Sequence, residues 1–407
     1  MRRRSHKKDP AGLGTRGVWA GEDGKNWERS TQIPVALSAA FGYDDVNQWL
    51  EVAQGNSYGH IYSRNTNPTV AAFEEKIRDL ETAKAATSFA SGMAAISNTL
   101  FALLSPGDRV VSIKDTYGGT NKLFIEFLPR FGIEVLLCGT SDYAAITAAI
   151  GRGCKALYLE SPTNPTVKVV DLARLASLAH RHGAVVIVDN TLATPINQQP
   201  LQLGADLVIH SATKFLGGHA DALGGVVCGA PELVHRIYHF REITGACLDP
   251  MSAYLLLRGM KTLHLRIARQ NESALRIAQF LESHPRVTRV FYPGLESHEH
   301  YEIARRQMRG FGGVLSFVIK GGFDSVKSFL PRLRYAHLAA NLGAVETIAG
   351  PPSTTSHVES TRQERAASGI PEALIRYSVG IEDLEDLIAD LSQALAKVYH
   401  AGRRARS

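Results

Sequence analysis

Between residues 109 and 229 the chain alternates short unbroken apolar runs with stretches of helical periodicity. The runs are "DRVVSI", "IEVLLC", "KALYLE", "AVVIVDN", "ADLVIHS" and "LGGVVCG". "NKLFIEFLPRF", "DYAAITAAI" and "DLARLASLAHRHG" lie between them and read as helices. A strand that is apolar at every position has no face to give to water, so both of its sides must be covered. Amphipathic helices between such strands supply the cover. The expected fold class is therefore α/β, with a mostly parallel sheet and helices on both faces.

Upstream, "NPTVAAFEEKIRDLE" places apolar residues at helical spacing after an Asn-Pro start, and "SGMAAISNTLFALL" reads as a helix with Ser91-Gly92 at its mouth. Helices dominate from about 230 to 285. A smaller mixed unit follows, with "VTRVFYPG", "GGVLSFVIKG", "IRYSVGIE" and a closing helix "EDLIADLSQALAKVYH". The first 60 or so residues lack clear periodicity yet hold all three tryptophans, Trp19, Trp27 and Trp49. Such a segment has little core of its own and is expected to pack on another body, a second subunit. The division expected is an N-terminal arm over 1–64, a large α/β domain over 65–265 and a smaller α/β domain over 266–407. Repeats and low-complexity linkers are absent from the sequence.

A chain of 407 residues is long enough for two or three domains with full cores. Its net charge of +6 could suggest nucleic acid, but the excess sits at the ends. Arg2, Arg3, Arg4, Lys7, Lys8, Arg403, Arg404 and Arg406 are eight of the 45 basic residues; without them 37 remain against 39 acidic ones. The body carries no basic patch interleaved with aromatics, so no nucleic-acid partner is expected. Eighteen consecutive apolar residues occur nowhere, so no membrane span is expected, and "MRRRSHKKDP" lacks the apolar segment of a secretion signal. Cys138, Cys154, Cys228 and Cys247 form no C-x-x-C and sit in mostly apolar surroundings. Reduced thiols in a cytoplasmic protein are the expectation.

In an open α/β sheet, ligands bind beyond the carboxyl ends of the strands. The polar residues there are Asp115 and Tyr117, Glu160 and Asn164, Asp189 and Thr191, then Ser211, Thr213 and Lys214. Taken singly each has an ordinary use: an Asp at a strand end caps a helix, Ser-x-Thr makes a turn, and Gly217-Gly218 is a turn. As a set they make four demands on one ligand. Short hydroxyls beside the helix mouth Ser91-Gly92-Met93 suit a phosphate. A lone carboxylate suits a protonated ring nitrogen, and Tyr117 suits the face of a flat ring. A lysine between a phosphate and a cationic ring suits a Schiff base. Pyridoxal 5′-phosphate (PLP) meets all four. Other motifs are weaker. No P-loop pattern occurs, "GFGGVLSF" is only a partial glycine pattern, and "ESHEH", with His298 and His300, reads as a surface loop lacking a third metal ligand.

"SATKFLGGHAD", "YLESPTNP", "VDNT", "SFASGMAAI", "KDTYGGTN", "YSRNTNPT" and "IRYSVGIEDLEDL" resemble the cysteine/methionine-metabolism PLP enzymes. That group comprises cystathionine γ-synthases, cystathionine lyases, methionine γ-lyases and O-acylhomoserine sulfhydrylases, and the resemblance spans roughly residues 14–397. It implies the PLP fold type I, with a seven-stranded sheet. It casts Lys214 as the Schiff-base lysine, Asp189 as the partner of the ring nitrogen, and Tyr117 as the stacking tyrosine that assists proton transfer. Ser91, Gly92, Met93, Ser211 and Thr213 match the phosphate cradle, with Thr191 and Asn164 near the ring. Tyr62 and Arg64 resemble the pair that reaches the phosphate of a neighbouring subunit. That implies a homodimer as the catalytic unit, usually paired into a homotetramer. Arg376 resembles the arginine that clamps the substrate α-carboxylate, beside substrate contacts from Glu160, Asn341 and Tyr62.

The implied reaction is γ-elimination or γ-replacement on a γ-substituted amino acid, through a Lys214 Schiff base and a β,γ-unsaturated intermediate. β-Elimination to pyruvate and ammonia is the shorter alternative. Three features bear on the substrate. Gly119 stands where methionine γ-lyases carry a cysteine. Ala340-Asn341, in "LAANLGAVET", stands where cystathionine-handling members have an acid and then serine, and looks more like O-acylhomoserine sulfhydrylases. "IAGPPSTTSHVES" departs from the common pattern. Together they favour a smaller or uncharged distal group, or a specialised one.

Overall fold

The computed structural model describes residues 11–22, 30–358, 361–367 and 369–398. Both basic tails and Trp27 lie outside these residues.

Seven strands form the larger sheet: β1 (Ala85–Phe89), β2 (Arg109–Ile113), β3 (Glu134–Cys138), β4 (Ala156–Glu160), β5 (Val185–Asp189), β6 (Leu207–Ser211) and β7 (Gly225–Gly229). Their order is β1-β7-β6-β5-β4-β2-β3. Strand β7 runs against both of its neighbours, and all other pairs from β6 to β3 are parallel. The expected mostly parallel α/β sheet is what the chain builds. Its unbroken apolar strands are explained by burial on both faces. In β5, Ile187 packs into one core with Phe89, Leu100 and Tyr158, while Val186 and Val188 pack into another with Leu157 and Leu175.

That alternation aims the site. Tyr158, Ile187 and Ile209 share one face, against the helix Gly92–Leu103. Side chains repeat with a period of two along a strand. The residues two further on, Glu160, Asp189 and Ser211, therefore emerge on that same face where the strands end.

The smaller sheet has the order β10-β11-β12-β9-β8, from β8 (Val287–Phe291), β9 (Val314–Ile319), β10 (His337–Leu338), β11 (Ile348–Gly350) and β12 (Leu374–Ser378). Its core joins Phe317, Ile375 and Tyr377 to Leu387 and Leu391 of the closing helix Leu384–Ala396. The 21-residue helix Leu263–Ser283 leads from the first sheet to the second.

Three local expectations are corrected. "NKLFIEFLPRF" is not one helix: Gly118–Lys122 is α, Leu123–Phe127 is a π turn and Leu128–Phe131 is 3-10. Pro129 has no N–H to return to Ile125, and the ladder shifts so that Leu128 N–H reaches Leu123 O. The "ESHEH" histidines are buried rather than on a surface loop. His300 pairs its Nε2 with Ser141 Oγ at 3.0 Å and accepts the Val169 N–H on Nδ1 at 3.3 Å. No group of three metal-ligating side chains occurs among the described residues. Finally, residues 11–22 pack on the chain's own body, because the fully buried Lys76 ammonium donates to Gly17 O, Val18 O and Glu22 Oε1 at 2.8–3.0 Å. No described helix is long and apolar enough to cross a membrane.

One helical glycine ties the fold to the Lys214 turn. A Cβ on Gly259, in the helix Pro250–Met260, would fall 2.0 Å from Gly217 O. Replacing a mid-helix glycine by alanine ordinarily stabilises by about 1 kcal/mol. Here two backbones must separate, and overpacking of that kind costs about 1–3 kcal/mol. Gly259→Ala is therefore expected to lower the melting temperature. A rise would mean the two segments do not touch.

Candidate active site

Lys214 follows β6 on a turn closed by Lys214 N–H to Ser211 O at 3.2 Å and Gly218 N–H to Lys214 O at 2.8 Å. Gly218 has φ +71°, and a Cβ there would strike the Arg266 guanidinium at 2.1 Å. Arg266 is buried beneath the turn and donates to Phe215 O, Leu216 O and Gly259 O at 2.8–3.2 Å. The glycines that follow the lysine thus make room for a supporting arginine.

The other side of the site comes from the smaller sheet. Val345 N–H donates to Gly218 O at 2.9 Å, and Gly343 lies so close that a Cβ would sit 2.7 Å from Phe215 N. This brings Asn341 to the lysine, whose Nζ donates to Asn341 Oδ1 at 2.7 Å. Arg376, on β12, donates to Asn341 O at 2.8 Å and to Asn164 Oδ1 at 3.3 Å. Burial, and secondarily the Arg376 charge, lower the Lys214 ammonium to about 8. Burial lowers Arg376 to about 10, so it stays cationic at neutral pH.

Two buried carboxylates stand side by side at the strand ends, since Glu160 and Asp189 are register partners. Burial raises both, and for Glu160 the Asp189 charge adds to it. Glu160 accepts the N–H groups of Tyr117 at 2.7 Å and Asn164 at 3.1 Å. Asp189 accepts the Thr191 N–H at 3.0 Å, and Tyr158 OH donates to it at 3.4 Å. Tyr117 is 39% exposed at the mouth. Ser91 caps the helix Gly92–Leu103 through Ala94 N–H at 3.1 Å. Thr191 Oγ1 accepts the Ser211 N–H at 2.9 Å, and Thr213 Oγ1 accepts the Gly224 N–H at 3.0 Å.

A cavity of about 220 Å³ joins these groups. Of the sixteen residues gathered from the sequence, Asp115 lies outside it and pairs with Lys168 at 3.1 Å, and thirteen line it: Ser91, Gly92, Met93, Tyr117, Glu160, Asn164, Asp189, Thr191, Ser211, Thr213, Lys214, Asn341 and Arg376. Tyr62 and Arg64 do not. They project from the arm, with Tyr62 43% exposed and the Arg64 guanidinium 5.0 Å above its ring. Sequence reasoning missed Tyr158, Arg266, Thr355 and Ser356. The departure at "IAGPPSTTSHVES" was the signal for the last two; the first two had none.

A family model described as Cys/Met metabolism PLP-dependent enzyme matches residues 14–396. The chain belongs to this family. It is 43% identical to an L-methionine gamma-lyase of Fusobacterium nucleatum over 95% of this chain and 98% of that one. It is 45% identical to an O-succinylhomoserine sulfhydrylase of Pseudomonas aeruginosa over 84% of this chain and 85% of that one. Its fold matches a crystal structure of cystathionine gamma synthase from Xanthomonas oryzae pv. oryzae in complex with cystathionine, with TM-score 0.91 and 35% identity, covering 96% and 99% of the two chains.

The family's cofactor, PLP, fits the residues present. Asp189 is a buried carboxylate raised by desolvation, and a cation placed against it would relieve that cost. A protonated ring nitrogen is such a cation. The helix mouth at Gly92 has no room for a side chain, since a Cβ would lie 2.7 Å from Ser211 Cβ. Backbone N–H groups at a helix start beside Ser91 and Ser211 make an anion site. The amine of Lys214, near 8, is neutral often enough to attack an aldehyde.

The Lys214 shift has a sign that can be checked in the cofactor-free protein. The folded amine loses its proton near pH 8, while an unfolded lysine keeps it to about 10.4. Between those values the unfolded chain binds more protons, so this group adds stability as pH rises. Below pH 8 the whole cost of the buried ammonium is present, up to about 3 kcal/mol. Cofactor-free Lys214→Met is thus expected to resist denaturant better than wild type at pH 7, with the gap narrowing towards pH 10. An equal or lower stability at pH 7 would contradict burial of the charge.

Proposed function

We propose that this chain catalyses PLP-dependent γ-elimination or γ-replacement on an amino acid whose Cγ carries an uncharged leaving group, as in an O-acylhomoserine. One observation carries the reading: a single residue, Asn341, holds the Lys214 amine with its side chain and the Arg376 guanidinium with its carbonyl. A substrate carboxylate on Arg376 therefore has its Cα beside the Lys214 nitrogen.

Bound PLP supplies an aldehyde for the substrate amine and a cationic ring that draws electrons from the Cα and Cβ bonds. The protein's own groups do the rest. Arg376 is buried, cationic and planar, and its fork suits a carboxylate held bidentately. The Lys214 amine would take the Cα proton of the bound substrate and then serve Cβ. Asn341 Oδ1 accepts from Nζ and so fixes where that nitrogen lies. Tyr117 covers the ring and delivers a proton to the leaving atom, its backbone fixed by Glu160. Glu160 also fixes Asn164, and in this way acts on the substrate side of the cavity. Ser91, Gly92, Met93, Ser211 and Thr213 cradle the phosphate, while Asp189, positioned by Thr191, keeps the ring nitrogen protonated. Tyr62 and Arg64 serve the phosphate of a second subunit, so the catalytic unit is a homodimer, paired into a homotetramer. Four cysteines without a disulfide support a cytoplasmic setting.

The substrate side supports an uncharged distal group. Ala340, Thr355, Ser356 and Leu223, none of them charged, line it. The relatives compared above are named for γ chemistry, which supports γ over β.

Purified enzyme is expected to release 2-oxobutyrate from O-acetylhomoserine faster than from O-succinylhomoserine, whose acyl group carries a carboxylate, and to form a thioether when a thiol is supplied. Pyruvate from cystathionine as the sole product would overturn the reading. Lys214→Ala is expected to abolish turnover and the bound-cofactor absorbance together. Ala340→Glu restores an acid at the exposed rim, where an ion pair contributes about 0.2–1 kcal/mol. It is expected to raise kcat/KM for cystathionine relative to O-acylhomoserine by roughly two- to fivefold, within that same range.

A further inference from the structure

Resting on the proposal that Tyr62 and Arg64 act in the partner's site, we propose that Arg241 is the positioning residue that presents them, serving the active site of the neighbouring subunit rather than that of its own. Arg241 lies on the helix Pro231–Thr244 and is 2% exposed. A fully buried guanidinium is costly unless its donors are satisfied. Its two terminal nitrogens go to an unusual set, while the buried Nε–H has no partner among the described residues. One nitrogen donates to Asn65 O at 2.5 Å and Arg64 O at 3.5 Å; the other donates to Ser88 O at 3.1 Å and Glu74 Oε1 at 3.3 Å. The buried cation thus grips the backbone of Arg64 itself, while the Arg64 side chain remains exposed.

The gripped segment is a tight turn. Asn65 N–H and Thr66 N–H both return to Tyr62 O, at 2.9 and 3.1 Å. The residue after Arg241 supplies a second hold, since Glu242 Oε2 accepts Asn65 Nδ2 at 2.6 Å. On its far side the turn pairs with the arm, through Ser63 N–H to Ala39 O at 2.9 Å and the Ala40–Tyr62 bridge, and with Asn67 at the start of the helix Pro68–Leu80, whose Nδ2 donates to Ser63 Oγ at 3.0 Å. The neighbouring arm helix Val46–Ala53 buries no residue. Arg241 and Glu242 therefore fix the turn to a rigid helix where the rest of the arm offers little support. Glu74 also accepts Ser88 N–H and Oγ at 2.7 Å, so the same cluster ends on β1, three residues before the Ser91 cap.

That last contact gives the rival outcome: Arg241 could support its own subunit's helix mouth instead. Mixed dimers separate the two. Differently tagged chains are co-expressed and purified through both tags. In a dimer of Lys214→Ala with Arg241→Gln, one site joins the intact lysine of the Arg241→Gln chain to the intact arm of the other. The Arg241→Gln homodimer is expected to bind PLP at least tenfold more weakly than wild type, and the mixed dimer to recover activity within twofold of a Lys214→Ala with Arg64→Ala mixed dimer. Wild-type PLP affinity in Arg241→Gln overturns the inference. So does failure of the Arg241 mixture to recover while the Arg64 mixture does, which leaves the arm reading standing. Failure of both overturns the arm reading and this inference with it. If Arg241→Gln does not fold, Arg241→Lys keeps the charge, loses the fork and is held to the same criteria with a smaller defect.

Discussion

The structure turns on a contact between parts of the chain far apart in sequence: the loop after β10 lies directly on the turn that carries Lys214. Glycine at 343 permits the approach, and the Val345–Gly218 hydrogen bond fixes its register. Only then does Asn341 reach the lysine amine, and only then does Arg376, on the second sheet, share a cavity with Asp189 on the first. Neither sheet alone holds both Lys214 and Arg376, the two groups to which the proposed reaction assigns the proton and the substrate carboxylate. From beneath, Arg266 spends its donors on three backbone carbonyls and prevents the turn from sinking into the core. The lysine is thus constrained from both sides, and its low proton affinity follows from that confinement.

Charge arrangement is the second constraint. The strand ends bring together two buried carboxylates, and the other wall brings a lysine and an arginine. Glu160 is committed to two backbone N–H groups, so its function is geometric. Asp189 accepts one backbone N–H and, at 3.4 Å, the Tyr158 hydroxyl, and remains the group best able to answer a cation in the cavity. The division of labour comes from neighbours, since the two residues are similar in type, sit at equivalent strand positions and are both buried.

Much of the sheet was legible because burial on both faces leaves a strand no choice but unbroken apolar residues. The cavity wall was legible for a related reason: a polar residue that ends such a strand has to face a ligand, a cap or a turn, and eight of the residues that line the cavity sit at or just beyond those ends. What was not legible depends on distant partners. Arg241, Arg266 and Lys76 are buried cations whose main partners are distant backbone carbonyls, joined by Glu74 for Arg241 and Glu22 for Lys76, and nothing local distinguishes them from surface cations. The packing of residues 11–22 on the chain's own body was missed for this reason, as its anchor is Lys76. The π turn at Leu123–Phe127 hung on one proline, read as part of a helix rather than as a break in its ladder.

The two halves of the cavity also differ in what change they tolerate. Cofactor groups stand on strand ends and a helix mouth, where each side chain is tied to core packing and to close backbone approaches at Gly92 and Gly225. A substitution there disturbs the sheet as well as the chemistry. Ala340, Thr355 and Ser356 stand on loops of the smaller sheet, and their side chains carry little of its core. Loops held by a rigid scaffold vary at small cost to folding. On the proposed roles, the chemistry at Cα rests on residues this fold cannot easily spare, while the group at Cγ meets residues it can. Relatives with one scaffold and different named reactions are the expected result of that asymmetry, and the proposed preference of this chain for its substrate rests on the loops after β10 and β11, which supply Ala340, Thr355 and Ser356 to the cavity.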